Sequence, residues 1–527
     1  MFFPSWLSRI SLTVAVMLAG RAAVAQKLRW NDLEEFVAYM NAHHKAPFDR
    51  EGAVLPPGGA ASLMQAARRS PVRPSAPTGT NVKVNRDRDP WPKAEIAAAV
   101  DPTNAKNYLV MSNDFRENFD HMFFHTSTNG GKAFTDDSMV GGADPVTGFI
   151  PLTFQSDPGV TFDNRGNSVL STISGNLIFD FNASYENLDT EVYVTQGFAG
   201  GTYASLLPTP VDDQQCSGTF DNFVCSAQLD KPFVTADGVP GSPHNGTVYV
   251  YYTLFCNENP CTDGNATVPA FSSAILESHS PGAGLPFSPP ALVSGKFTNT
   301  QFSDMVIDST GTPHIFFDDF SDPQFVKMYM STLKGGHWVV SGKPVATFVF
   351  QSIANIFWGF RIFGTVAPGC SIWGTTAYCA FSANQIQGGP VELGLSVYLA
   401  TVDTTTGTSS VHRVNNDTFG NSKDHFFPWA AAKGDGSVYV GWYDDRNDPF
   451  NTKVEYFVGK SGDGGMTFPT QQPVSSTSFN PCDGFPGCGF FGDYTQLVAG
   501  SDGVVHAAWS DTRDGASMQI FSQSVTW

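Results

Sequence analysis

Ser461-Gly462-Asp463-Gly464-Gly465-Met466-Thr467-Phe468 has the form S-x-D-x-G-x-x-aromatic and lies between two strand-like runs. Each residue type has a local task. An Asp side chain accepts from backbone N–H groups a few residues on, as in an Asx-turn. Gly464 and Gly465 allow positive φ without a Cβ clash. Ser461 can bond back into the turn, and Phe468 can enter an apolar layer beneath it. The stretch therefore reads as the self-satisfied end of a β-hairpin.

The pattern recurs. Ser127-Thr128-Asn129-Gly130-Gly131-Lys132-Ala133-Phe134 keeps the spacing with Asn for Asp, and Ser331 to Trp338 keeps Ser, Gly and Trp but loses the Asp. Looser versions lie at Thr195 to Tyr203 and Ser278 to Phe287. Together these resemble the Asp-box (bacterial neuraminidase) repeat of sialidase-like β-propellers. The resemblance covers most of residues 91–527 and implies the fold, since the box is a turn and carries no chemistry.

A longer unit repeats from residue 91: a polar residue, a short apolar strand, a turn at Asp or Gly, and a second strand ending in a polar cluster. Seven first strands are expected near Ile96, Val160, Phe233, Met305, Ile362, Ala430 and Leu497. Second strands are expected near Leu109, Val169, Val248, His314, Ala377, Val438 and Val505, which are 60, 79, 66, 63, 61 and 67 residues apart. That period suits four-stranded blades with extended loops. The expectation is an all-β propeller of seven four-stranded blades, with six plus an inserted hairpin as the alternative. Met518 to Val525 leaves the last unit one strand short, and Val82 to Asn85 could supply it, closing the ring with an N-terminal strand. Sialidases proper have six blades, so a count of seven departs from that family.

The ends and the cysteines set the compartment. Arg9, the apolar run Ile10 to Gly20 and the small-x-small Ala23-Val24-Ala25 read as a secretory signal (residues 1–25) cut after Ala25. Residues 26–80 hold one amphipathic helix, Leu28 to His44, and a Pro/Ala/Gly-rich linker; the propeller domain is 81–527. Eight cysteines fall into four close pairs, Cys216/Cys225, Cys256/Cys261, Cys370/Cys379 and Cys482/Cys488. With an export signal these read as four local disulfides in a secreted or periplasmic protein, although Cys216 or Cys225 could instead pair with Cys256. Of 30 basic and 49 acidic residues, 12 and 7 precede residue 91, which leaves 18 and 42, a net −24, for the body. So acidic a body repels nucleic acid and anionic membranes. A monomer without membrane insertion is expected.

Propeller geometry sorts the rest by face. Starts of first strands and ends of second strands share one face, and the Ser461-type turns lie on the other. Glu95, Asp157, Asp230, Lys231, Asp304, Arg361, Trp429, Asp493 and Tyr494 then ring the mouth of the central channel. Crowded carboxylates raise at least one pKa, which is how a general acid is made. Asp157, Asp230, Asp304, Asp493 and Tyr494 are the candidate catalytic residues. Glu95, Lys231, Arg361, Trp358, Trp429 and His425 are the candidate substrate-binding ones. No cofactor is called for, though the mouth carboxylates could hold a cation such as Ca²⁺ or bond backbone N–H groups of the next blade. Asp114/Arg116, Asp444/Arg446 and Asp511/Arg513 repeat at equivalent places, so they are expected to staple blades. Phe426, Phe427, Phe485, Phe490, Phe491 and Trp91 join the tryptophans as an aromatic rim suited to sugar rings.

Resemblance to sialidases further implies three carboxylate-binding arginines, a Tyr nucleophile activated by a Glu, and an Asp acid/base. Phe360-Arg361-Ile362-Phe363 is similar to that family's F/Y-R-I-P element, with Phe in place of Pro and in the fifth unit, not the first. Tyr494 beside Asp493 is the candidate nucleophile. The expected activity is exo-hydrolysis of a glycan or polysaccharide. A non-catalytic glycan- or protein-binding propeller, or a polysaccharide lyase using His425 or Tyr494 as base, are the alternatives.

Overall fold

Each repeat unit becomes one antiparallel sheet. The computed structural model describes residues 80–527 apart from 88–89, 117–120, 140–153, 176, 181–184, 197–208, 220–221, 226, 258, 265, 284, 350–359, 361, 363–367, 486–487 and 489. The expected signal segment, the helix Leu28 to His44, Trp358 and Arg361 lie outside the described residues.

The protein is an all-β propeller. Its described strands make seven sheets of four to six strands and one two-stranded hairpin. In chain order the innermost strands of sheets I to VII are Lys93–Val100, Phe154–Phe162, Ala227–Ala236, Thr300–Ile307, Gly369–Trp373, His425–Ala432 and Gln496–Ala499. Each touches the next, and the last touches the first. Sheets II and IV have six strands each, so the expectation of four strands throughout fails there. In sheet IV the extra strands are His337–Val340 and Gln385–Ile386. Val82–Lys83 pairs with Phe521 and Ser522 of the last strand, Gln519–Val525, so both ends of the described chain share sheet VII.

Second strands such as Tyr108–Asp114, Val248–Cys256 and Val438–Asp444 are buried at every position. A sheet clamped between two neighbours has no wet face, so its sequence is a continuous apolar run without alternation. The fifth inner strand departs from expectation. It is Gly369–Trp373, and Ile362 lies buried outside any strand. Gly369-Cys370-Ser371-Ile372-Trp373 has little apolar content, but Cys370 sits directly opposite Cys379 and is bonded to it.

The Ser461–Phe468 turn forms as its residues dictate. Ser461 Oγ donates to Asp463 Oδ1 (2.7 Å) and accepts from Gly465 N (2.9 Å). Asp463 accepts from Thr467 N (2.9 Å) and Thr467 Oγ1 (2.6 Å), and Phe468 is buried. Asn129 does the same work, accepting from Lys132 N and Ala133 N at 3.0 Å. Both turns join the third and fourth strands of their sheets. Ser331 to Trp338 differs: Leu333 pairs with Trp338 across a tight Gly335-Gly336 hairpin, both glycines at positive φ, and Ser331 Oγ donates to Val293 O instead.

The three Asp-x-Arg pairs staple neighbouring units as expected, and each also caps its own sheet. Each Arg backbone N and guanidinium bond the Asp two residues earlier, with Nε–carboxylate distances of 2.9, 2.7 and 2.9 Å for Arg116, Arg446 and Arg513. The guanidinium also lies over an aromatic ring of the adjacent third strand: Phe123, Phe457 or Phe521. A further arm reaches the segment of the neighbouring unit: Arg116 to Asp87 (3.1 Å), Arg446 to Asn416 (2.9 Å) and Arg513 to Ser476 (2.8 Å).

Cys256–Cys261, Cys370–Cys379 and Cys482–Cys488 are disulfides, so Cys256 is not shared with the earlier pair. Cys216 and Cys225 stand opposite each other on adjacent strands. Such bonds belong to an oxidising compartment, outside the cell or in the periplasm. No helix among the described residues is long and apolar enough to cross a membrane.

Candidate functional site

A bulge near the start of the inner strands builds the site. Register shifts fall between Ala94 and Ala97, Ser156 and Gly159, Asp230 and Phe233, Gln301 and Ser303, and Phe426 and Trp429. Inside those bulges Glu95, Asp157, Lys231, Phe302 and Phe427 take φ of 51–56°, and Gly492 takes 94° at the equivalent point of the last unit. Left-handed backbone costs a non-glycine residue on the order of 1 kcal/mol. The return on that strain is aim, because a bulge turns a side chain that would face a neighbouring sheet toward the ring's axis.

The aimed residues are charged in sheets I to III and apolar in sheets IV and VI. Lys231 Nζ lies 3.2 Å from Glu95 Oε1, 2.8 Å from Asp157 Oδ1 and 2.9 Å from Asp493 Oδ2. One ammonium thus joins inner strands from sheets I, II and III to the segment that leads into sheet VII. Tyr494 completes the wall, its ring 5.3 Å from Lys231 Nζ and its hydroxyl donating to Pro158 O (3.1 Å). Asp230 adjoins the group, held by Gln301 Nε2 on its Oδ2 at 2.7 Å. Asn113 threads through it, donating to Glu95 Oε2 (2.9 Å) and accepting from Asp157 N (3.1 Å). Every one of Glu95, Asp157, Asp230, Lys231, Asp493 and Tyr494 is at most 7% exposed.

Four carboxyls around one ammonium cannot all be ionised in so dry a place. Burial raises Glu95 well above the usual carboxylate range despite Lys231 beside it. Burial, then the Asp157 charge, pushes Asp230 up to about 8. Burial acts on Asp157 too, but Lys231 and hydrogen bonds from Glu95 and Asp230 outweigh it and hold this carboxyl low. Lys231 stays charged, since its carboxylates overcome the cost of burial. At neutral pH the site therefore sets protonated Asp230 against ionised Asp157, an acid next to a base. The Lys231 ammonium occupies the point where three carboxylates converge, the place a Ca²⁺ at the mouth would need. Among the described residues no group of three or more His, Cys, Asp or Glu is arranged to hold a metal.

Other expected site residues go elsewhere. Asp304 accepts from Tyr251 Oη (2.9 Å), Met305 N (2.8 Å) and Cys370 N (2.7 Å), tying sheets III, IV and V together, and burial lifts it to about 7. His425 is fully buried. It donates from Nδ1 to Leu395 O (2.6 Å) and faces Asp417 (3.3 Å) and Asp444 (3.5 Å), whose charges carry it to about 9 against the pull of burial. Trp429 is 5% exposed and packs on Phe233. Phe360, Phe426, Phe427, Phe485, Phe490 and Phe491 belong to the same buried cluster, so the expected rim of open aromatic faces is a core. Sequence reasoning missed Asn113 and Gln301. Asn113 stood in a polar cluster at a second-strand end; nothing in the sequence marked Gln301.

No protein-family model matches the chain, and no curated protein does. Among solved structures it is similar to a Hadza microbial sialidase, 13% identical over 77% of this chain and 73% of that one, TM-score 0.41. A Penicillium chrysogenum alpha-L-arabinanase is 12% identical over 70% and 94%, TM-score 0.39. The GH93 alpha-L-arabinofuranosidase of Fusarium graminearum is 9% identical over 69% and 92%, TM-score 0.41.

Proposed function

We propose that the protein is a secreted, glycan-active propeller, an exo-acting glycoside hydrolase with its chemistry at the Lys231 cluster. The observation that carries this reading is the pairing of Asp230, held protonated to about pH 8, with ionised Asp157. Asp230 would protonate the leaving glycosidic oxygen, and Asp157 or Asp493 would serve the opposite face of the sugar as base or nucleophile. Lys231 and Glu95 would orient hydroxyls, while Gln301 keeps Asp230 turned toward the cluster. Disulfides and the export-like first 25 residues support secretion.

A panel of chromogenic glycosides and polysaccharides, with product detection, finds the substrate. On that substrate Asp230→Asn should lower kcat by roughly 10² to 10⁴-fold, the usual worth of a general acid. The profile of kcat/KM should fall above a pH of about 8 as Asp230 loses its proton. Undiminished turnover in Asp230→Asn, Asp157→Asn and Asp493→Asn alike would sink the hydrolase reading.

A second reading, a non-catalytic glycan- or protein-binding propeller, draws support from the burial of every cluster member. It expects retention on a glycan array with no product formed. A lyase is less well supported: His425 keeps its charge to about pH 9 between two aspartates and so makes a poor base.

A further inference from the structure

Gln301 stands one residue before a bulge, and that place can be compared from sheet to sheet. In sheets I and VI it holds Ala94 and Phe426, and in sheets II and III Ser156 and Asp230. Sheet IV aims an apolar residue at the axis, Phe302 at φ 54°, yet the place before it is polar. The amide serves the neighbouring sheet instead: Gln301 Nε2 donates to Asp230 Oδ2 at 2.7 Å across the seam between sheets III and IV. One residue earlier the strand is pinned to sheet III, where Thr300 N donates to Ser273 Oγ (3.0 Å) and Thr300 Oγ1 to Ser273 O (3.3 Å). The backbone beneath Gln301 therefore has little freedom to swing away. Gln301 is half-buried, whereas Asp230 is 7% exposed.

A carboxylic acid has one oxygen that carries the proton and one that accepts well, and an N–H donor selects the second. With Gln301 on Oδ2, the Asp230 proton belongs on Oδ1. Asp157, Lys231 and Asp493 are the charged or titratable groups that act on Asp230, with Glu95 beyond Lys231. Asp157 is ionised and hydrogen-bonded to Asp230, so it accepts from the protonated oxygen. We propose that Gln301 is a positioning residue that keeps the Asp230 proton on Oδ1 and stabilises the carboxylate left when that proton departs. The inference rests on the hydrolase reading, in which the proton goes from Asp230 Oδ1 to the leaving glycosidic oxygen as that oxygen's bond to the sugar carbon breaks. The new charge on Asp230 strengthens the Gln301 bond, so the amide favours the transfer over the resting acid.

The test follows the Asp230 carboxyl and the reaction separately. In the whole protein, labelled with carbon-13 at its aspartates, NMR gives the carboxyl titrations, and the Asp230 signal is the one absent from Asp230→Asn. Gln301→Met keeps the length and removes the donor; Gln301→Ala takes its place if that variant does not fold. Loss of a donor to the ionised form should raise the Asp230 midpoint by about 1 pH unit. The alkaline limb of kcat/KM should move up equally, and kcat should fall by roughly 10- to 10²-fold. A merely structural role would lower stability and leave both midpoints in place. An Asp230 midpoint that stays put or falls overturns the proposal, a fall meaning that the amide oxygen accepts the acid's proton. A raised midpoint with a stationary kinetic limb overturns it too. A raised midpoint in a protein that turns over no glycoside upholds Gln301's hold on the proton and sinks the hydrolase reading alone.

Discussion

At Asp463 one carboxylate closes a turn by accepting a backbone and a hydroxyl hydrogen bond from Thr467 and a hydroxyl bond from Ser461. Asp463→Ala should cost about 1 kcal/mol in urea unfolding, the net worth of such bonds at a largely exposed site. Gly465→Ala should cost more, roughly 1–3 kcal/mol, because its φ is +86° and a Cβ would sit 2.6 Å from Leu399. Lys231→Met tests the other extreme. Removing the one ammonium strands three carboxyls in the core, and a loss of about 3–5 kcal/mol is expected in the same measurement; a near-neutral result would show that the cluster relaxes by protonation alone. Turn residues were legible in the sequence because their bonds are local. Glu95, Asp157, Asp230, Lys231 and Asp493 were also singled out, by position in the repeat. Asp304 was grouped with them wrongly, since a repeat position does not say which way a bulge aims the side chain.

Among elements, the bulged inner strands and the Asp-x-Arg caps carry most of the design. Each cap combines a forked guanidinium, a backbone bond and a ring beneath, so it depends on a planar cation. Arg513→Lys should therefore destabilise by about 1 kcal/mol through the lost fork and stacking, read as a drop in melting temperature, and Arg446→Lys by a similar amount. Six of seven inner strands could be placed from apolar runs and spacing. The fifth could not, since Gly369–Trp373 is held by a cross-strand cysteine pair and little apolar content, while the more apolar Phe360 to Phe363 drew the assignment away. The aromatic rim failed for a related reason: composition shows that rings are present, and only packing shows that Phe426 meets Phe427 and Phe491 while Phe490 meets Phe485.

For the molecule entire, buried acids set the response to pH. Asp230 and Asp263 sit near 8, Asp304 near 7 and Asp424 near 6, all raised first by burial. A carboxyl raised in the native state binds its proton more tightly folded than unfolded, so stability falls as pH climbs from the ordinary value to the raised one. His425, raised to about 9 by its aspartates, stabilises below its ordinary value and loses that contribution as pH rises through 9. Both effects have the same sign. Asp157 and Asp417 are held low and lose their contributions only under stronger acid. The melting temperature should peak at a pH of about 4 to 6 and decline steadily toward 9; a maximum above pH 8 would contradict these assignments. Overall architecture was readable from the sequence because period and turn chemistry repeat. Which acids meet was only partly readable, because the distances between them are fixed by neighbouring sheets far away in the chain.

The pairing of Val82–Lys83 with Phe521 and Ser522 has a kinetic corollary. Synthesis delivers the chain from its amino end, so the Val82–Lys83 strand has no sheet partner until the final strand emerges. Completion of the circle is then a late, cooperative event, and a polypeptide stopped just short of Gln519 would present two raw borders to chaperones and proteases instead of one finished wheel.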